Sequence, residues 1–198
     1  MSGLLERYIS HHLNIWIDQG ARKIFDAGCG YGTWGYKLMT EHPHENLHIE
    51  GADLYMEGMA YAQELGKAYK GIHRTDLSRD SLPFSYQEFD IALCQGVLAH
   101  LEKAQGHDLI YELRRVSKHM IFSAPTSLFQ HTNLLNNPHI EPLQHKSSWS
   151  PKDFWRHGMK VRGFDIRGRH EKITYLDAFF SPWTFRLPWL AGALVAFN

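Results

Sequence analysis

FDAGCGYGTWG, residues 25–35, holds four glycines in eleven residues, and two glycine spacings overlap within it. Counted from Gly30, GYGTWG is G-x-G-x-x-G; counted from Asp26, DAGCGYG is D-x-G-x-G-x-G. Both place a tight turn between an apolar strand, Lys23-Ile24-Phe25, and a helix beginning near Thr33. Glycine is needed where φ must be positive or where a β-carbon would strike a ligand. In a dinucleotide turn the first glycine follows the strand directly, to aim a helix N-terminus at phosphate. Gly30 lies too far beyond Asp26 for that and leaves Ala27-Gly28-Cys29 without a role. In the other register Asp26 ends the strand, Gly28 and Gly30 make the turn, and Gly32 opens the helix. That register accounts for every residue.

Working outward, the same alternation recurs. Leu47 to Ala52 reads as a second strand ending at Asp53, Gly71 to Thr75 as a third closed by Asp76, and Phe89 to Cys94 as a fourth. Between them, YMEGMAYAQELG carries apolar residues near helical spacing and stops at Gly66. KAQGHDLIYELRRV places Leu109, Leu113 and Val116 on one helical face, and HMIFSAP is a fifth strand stopped by Pro125. Strands alternating with helices predict an α/β fold, with a mostly parallel sheet covered on both faces. Residues 1–21 predict an amphipathic N-terminal helix. Residues 126–150 are polar and rich in Asn and Pro, the composition of a functional loop or lid. PKDFWRHG reads as a short helix, and KVRGFDIRG and LAGALVAF as two closing strands. No internal repeat or linker divides residues 1–198, so a single domain is expected.

The bulk composition narrows the function. Lys+Arg and Asp+Glu both total 21, giving a net charge of zero, without the basic excess of a nucleic-acid binder. Two cysteines, Cys29 and Cys94, imply no disulfide framework and suit a reducing cytoplasm. The first twenty residues carry Glu6, Arg7 and Asp18 and make a poor signal peptide. The C-terminal stretch AFFSPWTFRLPWLAGALVAFN is strongly apolar, but two prolines and Arg186 interrupt it, and no transmembrane segment is expected. Burial as a strand is its ordinary reading; contact with a lipid or membrane surface is the alternative.

One glycine turn is a weak signal, and acids at later strand ends strengthen it. A carboxylate at Asp53 suits the two ribose hydroxyls of a nucleoside. Asp76-Leu77, after the third strand, suits an adenine edge. The ordered set IFDAGCGYGTWGYKL, IEGADLY, HRTDLS and FDIALCQGVLAHL resembles the class I S-adenosylmethionine-dependent methyltransferases from about Arg22 to Pro125. The resemblance implies a Rossmann-like, doubly wound fold with a seven-stranded sheet, six strands parallel and one antiparallel. It implies S-adenosylmethionine as cofactor, with Asp26, Gly28, Cys29 and Gly30 around the methionine moiety. Asp53 would hold the ribose and Leu54 pack on the adenine, while Asp76 and Leu77 read the adenine edge. Gln95 and Gly96 would lie beneath the transferred methyl.

Methyl transfer from a sulfonium needs placement above all, with a general base where the acceptor must lose a proton. His100, in VLAHL, and His145, in the 126–150 segment, are the candidate bases. Gly96-Val97-Leu98-Ala99-His100 stands where some relatives carry the metal-binding E-V-L-E-H, so both acids are missing and no metal is expected. CQGV differs from the N/D-P-P-Y/F signature of enzymes that methylate adenine or glutamine nitrogens. His131, His139 and Glu141 have metal-ligand chemistry without a recognised spacing. The reading is a cytoplasmic enzyme acting on an oxygen or nitrogen of a small-molecule acceptor. Its rivals are a non-catalytic cofactor-binding accessory protein and an NAD(P)-dependent oxidoreductase.

Overall fold

A computed structural model describes residues 3–55, 58, 68–128, 144–166 and 183–198. Seven strands form one sheet: β1 Lys23–Ala27, β2 His48–Asp53, β3 Gly71–Arg74, β4 Phe89–Gln95, β5 Ser117–Pro125, β6 Lys160–Ile166 and β7 Ala191–Phe197. Their spatial order is β3-β2-β1-β4-β5-β7-β6. Pairings from β3 through β5 are parallel, while β7 runs antiparallel to both β5 and β6. The order reverses between β1 and β4. A crevice opens at such a switch point beyond the carboxyl ends of the strands.

The strands are nearly continuous apolar runs because a parallel sheet is covered on both faces. On one face lie Phe25, Ala27, Phe89, Cys94, Met120 and Phe122, packed by helix α3, Lys103–Val116, through Leu109, Ile110, Leu113 and Val116. On the other lie Ile24, Ile49, Ile91, Leu93, Ile121 and Val195, packed by helix α1, Gly3–Asp18. Leu5, Ile9, Leu13, Trp16 and Ile17 of α1 are buried, the stripe of an amphipathic helix. Helix α2, Thr33–Glu41, begins directly after the glycine turn with Gly32 at its N-cap in the left-handed region. Helix α4, Pro151–Trp155, starts with a proline behind a Ser150–Asp153 capping box.

The expected elements appear with their boundaries moved by one to three residues. The N-terminal helix covers Gly3–Asp18 of the expected 1–21, and β5 starts at Ser117 rather than His119. The helical reading of YMEGMAYAQELG falls almost wholly outside the described residues, as do His131, His139 and Glu141. Gly106 interrupts α3 for a packing reason. A β-carbon there would overlap the six-membered ring of Trp149. The C-terminal apolar stretch is divided: residues 183–186 form a helical turn, Pro188–Leu190 a 3-10 turn, and Ala191–Phe197 becomes β7. No helix among the described residues is long and apolar enough to cross a membrane.

Candidate active site

The glycine turn leaves β1 at the switch point. Gly28 and Cys29 both donate their amides to Ala52 O of β2, at 2.7 and 3.0 Å, which folds the turn against the neighbouring strand. Gly28, Gly30 and Gly32 all have positive φ, whereas Gly35 does not. The backbone therefore follows the register counted from Asp26. A β-carbon on Gly28 would collide with Val97 Cγ2, while one on Gly30 would meet nothing within 4 Å. Gly96, φ +75, likewise faces open space. Two bare backbone positions beside the crevice form a cradle that side chains would fill.

Asp53 fastens the turn. Its Oδ2 accepts from the Gly30 amide at 2.8 Å and its Oδ1 from the Tyr55 amide at 2.8 Å. A carboxylate has about four lone-pair sites, so it retains capacity for two ligand hydroxyls. Asp26 is only 2 % exposed, and its Oδ2 accepts from the Tyr69 hydroxyl at 2.6 Å. Burial pushes its carboxyl up to about 7, against the pull of the Tyr69 hydrogen bond and with a further push from Asp53. Asp76 follows β3 and is already bonded: Oδ1 accepts from Ser78 N at 3.0 Å and Ser78 Oγ at 2.6 Å, and Oδ2 pairs with Arg79 Nε at 2.7 Å. Partial burial raises its carboxyl, but the two Ser78 donors and Arg79 outweigh that and hold it below the ordinary range. Because β3, β2 and β1 are neighbours, Asp76, Asp53 and Asp26 stand along one rim.

Leu54 is 44 % exposed, whereas the Leu77 side chain is buried in the core. Gln95, at the end of β4, donates Nε2 to Ile121 O at 3.0 Å, and its Oε1 is buried without a partner among the described residues. The amide of Gly96 donates to Ser123 Oγ at 3.2 Å. An acceptor left open beside bare backbone fits a ligand with donor groups.

His100 and His145 are brought together, with ring centroids 5.1 Å apart in a T-shaped arrangement. The 3-10 turn Leu98–His100 is stitched to the later segment: Ala99 O accepts from Lys146 N and Ser147 N, and Leu98 O from Ser147 Oγ and Trp149 Nε1. His100 Nδ1 lies 3.2 Å from Gln144 O. A carbonyl can only accept, so Nδ1 carries the ring proton and Nε2 carries the lone pair in the neutral ring. Among the described residues no group of three or more His, Cys, Asp or Glu is placed to hold a metal ion.

Cys29 faces Gly51 and Tyr69, Cys94 lies in the core cluster with Phe25 and Phe122, and both are free. Burial is the first reason both thiols are pushed upward, with the Asp26 charge adding to it, which makes them poor nucleophiles. Sequence reasoning did not single out Tyr69. Its only signal is indirect: Gly35 and Gly51 have ordinary φ, yet a β-carbon on either would press on the Tyr69 ring.

A family model described as a methyltransferase domain matches residues 24–120. The fold is similar to the methyltransferase domain of bacterial CtHen1-CN, with a TM-score of 0.59, 18% identity and 98% of each chain covered. It is similar also to a SAM-dependent methyltransferase from Archaeoglobus fulgidus, with a TM-score of 0.58 and 15% identity over 98% of this chain and 92% of that one. The small RNA methyltransferase HEN1 gives a TM-score of 0.56 and 18% identity over 97% of this chain and 24% of its own. No curated protein matches the sequence. The glycine register, the acids along one rim and the matched family model agree: residues 24–120 carry a methyltransferase domain, in the fold that S-adenosylmethionine-dependent methyltransferases share.

Proposed function

We propose that the protein methylates an oxygen or nitrogen of a small-molecule acceptor, acting in the cytoplasm as a single domain. When bound, S-adenosylmethionine supplies an electrophilic methyl group on a sulfonium sulfur. Asp26, Gly28, Cys29 and Gly30 would hold its amino-acid end, Asp53 its ribose, and Leu54, Asp76 and the Leu77 backbone its adenine. Gln95 and Gly96 would lie beneath the methyl. The bare β-carbon positions of Gly30 and Gly96, and Gln95 Oε1 without a partner among the described residues, support this assignment.

The observation that carries the acceptor chemistry is the His100–His145 pair, held by main-chain hydrogen bonds just beyond the end of β4. His100, with its proton fixed on Nδ1, presents Nε2 as a base for an acceptor hydroxyl or ammonium. His145 closes the same wall and is the second candidate. General-base assistance contributes about 10²–10⁴-fold. The rest is alignment, which in well-oriented systems is worth an effective molarity of about 10⁵ M or more.

Zero net charge favours a small acceptor over a polyanion. The test is methyl transfer from labelled cofactor to a panel of phenols, carboxylates, amines and a short RNA. Labelling of a small molecule, lost at least tenfold in His100→Ala, is the expected result. Labelling of the RNA alone would overturn the small-molecule reading. Tight binding of S-adenosylhomocysteine with no labelled product would point to an accessory protein.

A further inference from the structure

Among the described residues, Asp26 is a buried carboxyl that no cation faces. The groups that face it are the Tyr69 hydroxyl from the chain before β3, Asp53 at the end of β2, and the thiols of Cys29 and Cys94. None is positive. A carboxylate so enclosed is normally paired, because the desolvated charge is otherwise costly. The Tyr69 hydroxyl is set to meet this carboxyl. Its oxygen accepts the Gly35 amide at 3.1 Å, one of the amides that a helix N-terminus leaves unbonded, and its single proton goes to Asp26. Gly35 and Gly51 leave the space that its ring occupies. The arrangement joins β1, β2 and the first turn of α2 around one oxygen, directly under the glycine turn.

We propose that Asp26, positioned by Tyr69, takes a countercharge from the ammonium of the cofactor's amino-acid end, so that binding releases one proton and Tyr69 sets the pH at which this occurs. In the free protein near neutral pH part of the population carries Asp26 as the neutral acid. Arrival of the ammonium drives that proton to solvent, leaving a carboxylate held by one hydroxyl and one cation. Tyr69 acts through Asp26, as a positioning residue. The inference rests on the placement of the amino-acid end over the glycine turn proposed above.

The experiment is calorimetric titration with S-adenosylhomocysteine at a series of pH values, in buffers of different ionisation enthalpy, with 5′-methylthioadenosine as the ligand lacking the amino-acid end. A carboxyl titrating at about 7 gives about a tenfold gain in affinity between about pH 6 and pH 8, with close to one proton released at the acid end. Methylthioadenosine should show neither. Tyr69→Phe should move the rise to higher pH, so that its deficit is largest in acid and shrinks in alkali; a purely structural role would weaken binding by one factor throughout. Asp26→Asn should remove the slope. A flat wild-type profile, or a slope that persists in Asp26→Asn, overturns the proposal. The two readings fail differently. Weakened binding by Asp26→Asn at pH 8 with a flat wild-type profile rejects only the proton coupling. Equal affinity for both ligands, unaffected by Asp26→Asn, rejects the placement itself.

Discussion

Gly28 and Gly30 lie two residues apart in one turn, and a methyl group added to each has a different consequence. At Gly28, φ +83, the new carbon meets Val97 on the core side, so Gly28→Ala strains both the backbone and the packing. At Gly30, φ +50, it projects into open space. A left-handed alanine costs about 1–2 kcal/mol in either case. Gly28→Ala should therefore lose clearly more stability in urea unfolding. Gly30→Ala should remain folded and lose at least tenfold in affinity for S-adenosylhomocysteine. Asp26 gives a second residue-scale prediction. Its carboxyl rises from an ordinary 3.8 to about 7 on folding, so between those values the unfolded chain is ionised while the folded one holds its proton. Stability is then lost as pH rises from about 4 to about 7 and the loss stays constant above. Asp26→Asn should be the more stable protein at pH 8, by an order of a few kcal/mol, with the advantage vanishing near pH 4. Urea midpoints at the two pH values check this, and a variant weaker at pH 8 would contradict it.

At the scale of elements, α3 and the chain from Gln144 to Gly158 form one unit. Trp149 fills the notch at Gly106, Lys103 Nζ sits 4.1 Å from its ring centroid and pairs with Asp153 at 2.9 Å, and His107 Nδ1 meets His157 Nε2 at 2.9 Å. Arg156 approaches His107 Nε2 at 3.2 Å, and Arg114 donates to His157 O. Burial, first, and the neighbouring Arg charges depress both imidazoles, His157 to about 4. Each is lowered by folding, so its contribution is present above the unfolded value of 6.5 and is lost as pH falls below it, for His157 toward about 4. Its sign is opposite to that of Asp26. His157→Gln should therefore blunt the acid loss of stability, compared between pH 7 and pH 4.5, and leave the alkaline side unchanged. Because the same unit carries the chain onto Leu98–His100, Trp149→Ala should cost about 3–5 kcal/mol and also lower methyl transfer by separating His145 from His100. This unit was only half legible beforehand. KAQGHDLIYELRRV announces its helix by spacing, but the reason for Gly106 lies more than forty residues away, at Trp149. Spacing along a helix cannot report a partner that distant.

For the whole molecule, the central strands were readable because a sheet covered on both faces demands unbroken apolar runs, and the turns between them demand glycine and acids. The insertion of β7 between β5 and β6 is a property of the return path and leaves no mark on local periodicity. Tyr69 was invisible for a similar reason: its meaning lies in Asp26, Gly35 and Gly51, three positions on three elements. The acids were readable because β1, β2 and β3 stand side by side, so three strand ends become one rim. That convergence has a consequence for global stability. A ligand spanning the rim ties β1, β2, β3 and α2 together and binds only the folded chain. At a hundred times its dissociation constant it should add about 2.7 kcal/mol. For a chain of 198 residues, each kcal/mol moves the midpoint by about 2–4 °C, so S-adenosylhomocysteine should raise Tm by roughly 5–10 °C. NADH should not, because its pyrophosphate needs a turn whose first glycine follows the strand directly, and Gly28 and Cys29 stand between the end of β1 and Gly30. An equal shift with NADH would mean that the rim recognises any adenosine, and that the glycine turn contributes no selection of its own.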